Sequence, residues 1–92
     1  MMQTERLEVI SGRGRLGSRY AGLEYVIRVF QEFSENAPTR QYACGGLKLP
    51  QGDVAFAMLD DKPLELELED GRMTRVLFKD LDGSFDVCGP IA

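Results

Sequence analysis

"LEYVIRVFQEF" occupies residues 23–33, and its reading decides between two folds. Leu23, Val26, Ile27, Phe30 and Phe33 fall at the spacing of one helical face. Leu23, Tyr25, Ile27 and Val29 fall on one face of an alternating strand, with Val26 and Phe30 on the other. Periodicity favours the helix. Composition, rich in β-branched and aromatic residues, favours the strand. A strand covered on both faces tolerates apolar residues on both, so the strand reading leads. It makes the chain all-β. The alternative, a helix at about 20–33 lying across a sheet, makes it α+β.

The flanking segments mostly read as short strands. Upstream, "RLEVIS" (6–11) alternates, with Leu7 and Val9 on one face. Downstream, "SENAPT" (34–39) has the Ser, Asn and Pro content of a loop. "RQYACGGLKLP" (40–50) reads as a strand with a close approach or a bulge at Gly45–Gly46. "QGDVAFAMLDDKP" (51–63) suits a short helix capped by Asp53 and closed off by Pro63. An Asp-Gly turn at 82–83 leads into a last strand. The expected architecture is one small domain over 1–92. It is an all-β, partly open antiparallel barrel or roll of five or six strands with one or two short helical segments.

The clearest element is the hairpin "PLELELEDGRMTRVLF" (63–78). A two-residue loop at Asp70–Gly71 would set Arg75 opposite Leu66, on the leucine face, which is costly if that face is buried. A three-residue loop, Glu69–Asp70–Gly71, shifts the register by one and gives Gly71 the left-handed position of a type I turn with a bulge. Leu66 then faces Thr74, Leu64 faces Val76, and Glu65 meets Arg75 on the wet face. The three-residue loop is expected, with Glu65, Glu67 and Glu69 turned outward.

Charge is uneven. Residues 1–40 hold six arginines against five glutamates, net +1; residues 41–92 hold five basic against ten acidic residues, net −5. The total of −4 opposes nucleic-acid binding as an overall field. The chain has no histidine, so a Cys–His nucleophile is excluded. Cys44 and Cys88 alone do not complete an ordinary structural zinc site, and they read as small buried hydrophobes. The Glu65, Glu67 and Glu69 stripe reads as a solvated strand face rather than a cation site. No apolar run approaches the length of a membrane span, and the N-terminus shows no secretory pattern. The expected address is the cytoplasm of a bacterium, with no cofactor and no metal.

"GRGRLG" (12–17) matches the G-x-G-x-x-G spacing of a dinucleotide loop. That fingerprint needs a strand, the glycine turn, a helix and then a second strand with an acidic residue. Here that helix would carry Gly22, and the following strand "RQYACGGLKL" has no acid. Dinucleotide binding is therefore not expected. "VISGRGRL", "YACGGLKL" and "DVCGPIA" each set a glycine within a strand-like run. In that light Gly12 and Gly14 let a strand bend, and Gly17 belongs to the following turn.

"RLGSR" (15–19) resembles the R-x-x-x-R motif of PilZ domains, small barrels that bind a cyclic dinucleotide. Their second motif, D/N-x-S-x-x-G, is approached only by "DGSFDV" (82–87), where Asp82 and Ser84 match and Val87 stands in place of the glycine. The resemblance covers five residues, and the chain is not assigned to that family on it. Arginines do suit phosphate, because each guanidinium makes bidentate contacts. Arg13, Arg15 and Arg19 are therefore the candidate anion-binding residues. The leading expectation is a non-catalytic binding or protein-interaction module that meets a protein partner or forms a homo-oligomer. The alternative is anion, nucleotide or nucleic-acid binding through the arginine-rich glycine loop 12–19, with Tyr20 and Tyr25 as stacking groups.

Overall fold

The stretch 23–33 is a strand. In the computed structural model, which describes residues 2–92, it lies within β2 (Tyr20–Ser34). The other elements are β1 (Met2–Leu16), β3 (Ala37–Leu47), α1 (Gln51–Met58), β4 (Leu64–Glu67), β5 (Met73–Phe78) and β6 (Ser84–Val87). All strand pairs are antiparallel, in the order β1-β2-β3-β6-β5-β4, and the sheet closes into a barrel. Sequence patterning left the barrel partly open. Its closing seam is short: β1 meets β4 only at Arg15↔Glu67 and Leu16↔Leu66. No helix among the described residues is long and apolar enough to cross a membrane.

The alternation expected in β2 is present. Tyr25 and Ile27 are buried among Leu16, Leu47, Leu66, Leu68, Val76, Phe78 and Phe85, and Leu23 and Val29 pack against that core. Helix α1 adds Val54. Each fully buried large apolar side chain contributes about 1.5–3 kcal/mol relative to exposure. Asp53 does not cap α1 through its side chain. The N-cap is Pro50, and the Asp53 carboxylate accepts the Tyr20 hydroxyl at 3.0 Å. A proline fits there because the first-turn N–H groups lack helical partners anyway.

The hairpin takes the expected register: Leu64↔Val76, Glu65↔Arg75 and Leu66↔Thr74. Leu68 N–H donates to Arg72 C=O at 2.7 Å, Gly71 N–H donates to Leu68 C=O at 3.0 Å, and Gly71 has φ 90°. The left-handed glycine closes a three-residue loop. Leu66, Leu68, Thr74, Val76 and Phe78 are buried, and Glu65, Glu67 and Glu69 face solvent.

Three local expectations change. The segment 34–39 is not a loop: β2 continues to Ser34 and β3 begins at Ala37, joined through Glu35 (φ 53°) and Asn36 (φ 67°). Two left-handed residues make the tight turn that matches strand twist, and Pro38 is admitted because β3 is an edge there. In β1, Arg6 pairs with Phe30 and Glu8 with Val29, so Leu7 is an inserted residue. The bulge breaks the alternation, and Leu7 and Val9 are both exposed. Cys44 and Cys88 are half-buried rather than core residues. At Gly45 the pairing with β2 is continuous and without a bulge, but a Cβ there would collide with the Val26 carbonyl.

Candidate functional site

β1 and β2 each have 15 residues and β3 has 11, whereas β4, β5 and β6 have 4, 6 and 4. At about 3.3 Å per residue the long strands outrun the short ones, and the molecule measures 44 × 27 × 17 Å. The β1–β2–β3 meander therefore projects beyond the barrel as an arm. β4 reaches β1 only at Arg15 and Leu16, and β6 reaches β3 only between Cys44 and Gly46. Both outer edges of the arm lack a neighbouring strand among the described residues.

The register sorts the side chains of the arm. Arg6↔Phe30↔Tyr42, Thr4↔Glu32↔Arg40 and Val9↔Arg28↔Cys44 form three cross-strand rows. They lie on the face opposite the one that Ile27 and Val29 turn toward the core. Phe30 and Tyr42 stack with centroids 5.2 Å apart, and the Arg40 guanidinium lies 5.1 Å over the Tyr42 ring. Arg40 also pairs with Glu32 at 3.0 Å. Within these rows Arg6, Arg28 and Arg40 stand with Glu32, in a chain whose total charge is −4. The third row runs on from Cys44 to Asp86, which pairs with Lys79 at 3.2 Å, and Arg13 and Glu24 pair farther along the same face.

The arm's inner face continues the barrel interior. Past Val87 the chain leaves β3 and follows β5: Cys88 N–H donates to Arg75 C=O at 2.8 Å, and Ala92 and Met73 exchange bonds of 3.0 and 2.7 Å. The two paths diverge around a groove of about 320 Å³. Ile10, Val29 and Ala43 lie on the arm side, Val87 and Ile91 on the tail side. Glu8 and Arg72 supply charge to its lining.

The arginines singled out in sequence sit elsewhere. "GRGRL" is strand, so 12–16 is not a loop, and the turn is confined to 17–19 with Gly17 at φ 58°. A second strand follows, not the helix a dinucleotide fingerprint requires. Arg13 pairs with Glu24 at 3.4 Å, and Glu24 also takes Lys48 at 3.3 Å. Arg15 stands opposite Glu67. Arg19 lies 5.0 Å over the Phe56 ring, beside a cavity of about 240 Å³ between the β1–β2 turn and α1. Arg13 borders a different groove, with Ser11, Tyr25 and Glu69. At the 17–19 turn, burial and then the hydrogen bond to Asp53 push the Tyr20 hydroxyl above its usual 10.0.

Among the described residues no three Cys, Asp or Glu side chains gather where a metal ion could sit. Sequence reasoning missed Arg6, Arg28, Phe30, Arg40 and Tyr42. Strand alternation already placed Arg28 with Phe30, and Arg40 with Tyr42. Only the cross-strand register joins the two pairs and adds Arg6. No protein-family model, curated protein or solved structure matches the chain.

Proposed function

We propose that the chain is a non-catalytic binding module that joins another protein, or a second copy of itself, through the β1–β2–β3 arm. One observation carries this reading: three strands extend past the barrel, and among the described residues both outer edges are unpaired. Unpaired strand edges are templates for a further strand. The edge of β1 also exposes Leu7 and Val9, at 46% and 47%. The Leu7 bulge and Pro38 interrupt the two edges, which favours a short, defined contact over open-ended sheet growth. The non-catalytic part rests on the sequence, which has no histidine and no recognisable nucleophile–base constellation. A cytoplasmic, bacterial setting belongs to the same reading.

Light scattering over a concentration series tests it. The mass should rise above the 10.3 kDa monomer, and Val9→Pro, which removes an edge N–H, should hold the chain at the monomer mass. A chain that stays monomeric while nucleotides or cyclic dinucleotides raise its melting temperature is instead an anion binder. That outcome would return attention to Arg13, Arg15 and Arg19.

A further inference from the structure

We infer that the groove between β3 and the C-terminal tail takes an extended segment of a partner protein as an added strand, and that this segment alternates apolar and acidic residues. The inference rests on reading the arm as a protein-docking element.

The backbone comes first. Leu47 N–H donates to Gly83 C=O at 3.1 Å, so the odd-numbered backbone groups of β3 turn toward the β6 side. Gly45 meets Phe85 there, and the ladder ends at Cys44↔Asp86. Upstream, the N–H and C=O of Gln41 point the same way with no strand opposite. Peptide groups at such an edge are best completed by another extended chain.

Side chains then set the pattern. Successive residues of an added strand point to opposite faces of the sheet. Those pointing inward meet Ile10, Val29, Val87 and Ile91 in the groove, between the charged Glu8 and Arg72, and against those four an apolar side chain is favoured. Those pointing outward lie beside Tyr42 and Arg40, with Arg28 and Arg6 on the next strands. Of the acids on these rows, Glu32 pairs with Arg40 and Asp86, beside Cys44, pairs with Lys79, which leaves Arg28 and Arg6 as the surplus charge that favours acidic residues there. This charge complementarity, joined to a groove floored by apolar residues, selects the occupant. A single-stranded nucleic acid would use the arginines and leave both the Gln41 peptide groups and the apolar floor unmatched.

The test uses the whole chain, isotopically labelled and followed by NMR amide shifts. The probe is a short synthetic peptide of alternating Leu and Glu, with an alternating Leu–Lys peptide and an oligothymidylate as comparisons. Saturable shifts should centre on Gln41–Ala43, Val87–Gly89, Ile91, Ile10 and Val29. The Leu–Lys peptide should bind about tenfold or more weakly, and so should the Leu–Glu peptide to Arg28→Glu/Arg40→Glu. Gln41→Pro removes the edge-facing N–H, and with it a side chain at the groove, but no ladder bond to β2; it should weaken binding while leaving the melting temperature near that of the parent. Three results overturn the assignment: no binding of the Leu–Glu peptide, equal binding of the Leu–Lys peptide, or displacement by the oligothymidylate from the same residues. If the peptide fails while the chain still self-associates in a Val9-dependent way, the groove assignment falls and the arm reading stands. If both fail, both are wrong.

Discussion

Thr74 is buried to 4% exposure, and its hydroxyl has no hydrogen-bond partner. The β-branched shape suits a strand facing Leu66, but an unpartnered buried hydroxyl costs about 1–3 kcal/mol in desolvation. Thr74→Val keeps the shape and removes the polar atom. It should raise stability by about 1 kcal/mol, read as a higher urea midpoint with unchanged slope. A lower midpoint would mean that the hydroxyl finds a partner in solution. Gly14 presents the opposite situation. A Cβ there would collide with the Glu67 carbonyl and lie 3.2 Å from the Tyr25 ring. At Gly12 the severe clash is with the end of the Glu69 side chain, which can swing away, and the Tyr25 hydroxyl at 3.0 Å and Glu69 Cβ at 3.1 Å would have to give only slightly. Gly14→Ala should therefore cost about 2–3 kcal/mol, as overpacking does, and Gly12→Ala clearly less. Equal costs in thermal denaturation would refute the close crossing of β4 over β1. The sequence showed glycines suited to a bending strand. It did not show that one of them accommodates backbone and the other a mobile carboxylate.

At the scale of elements, the hairpin β4–β5 is where the sequence was most legible. Alternation fixed the faces, and the cost of burying Arg75 selected the odd loop. The turn carries a titratable device. Asp70 accepts the Arg72 backbone N–H at 3.0 Å and its guanidinium at 2.7 Å. The backbone bond first, then the side-chain bond, hold the carboxyl below its usual 3.8. A carboxyl depressed on folding stabilises above the unfolded value, and the benefit is lost as pH falls through the folded one. Asp70→Ala should thus be less stable than the parent at neutral pH, and the gap should close on acidification below 3.8. Denaturation midpoints across that range check it; a constant gap would assign the loss to the neutral turn geometry alone. The β2–β3 connection was less legible. Ser, Asn and Pro signal a loop, yet Asn36 needs only a left-handed turn and Pro38 fits an edge strand. Whether a strand is an edge is settled by its neighbours, not by its own residues.

Across the whole molecule, the arm and the barrel share strands but not burial. Tyr25 and Ile27 are in the core, whereas Gln31, Glu32 and Phe33 lie farther along the same β2, also paired on both sides. Local opening is governed by buried apolar contact more than by hydrogen-bond count. Amides of 31–33 should therefore exchange with deuterium at least about tenfold faster than those of 25–27; uniform protection along β2 would contradict the division into arm and barrel. For 23–33 composition favoured a strand against a helical periodicity, and pairing with β1 and β3 decided it. The faces of β2 as a strand, the hairpin register and the outward Glu65, Glu67 and Glu69 were determined by the sequence alone. Each follows from alternation within one strand or from a turn between adjacent strands, where the interacting residues are close in the chain. Closure of β1 onto β4, the Leu7 bulge, the joining of Arg6, Arg28 and Arg40 on one face, and the groove left where the tail departs from β3 were decided only by the tertiary structure. These depend on relative strand lengths and on segments such as 12–14 and 67–69 meeting in space. A one-dimensional pattern says which way a side chain points along its own strand, but not which distant strand lies beside it or where that neighbour stops.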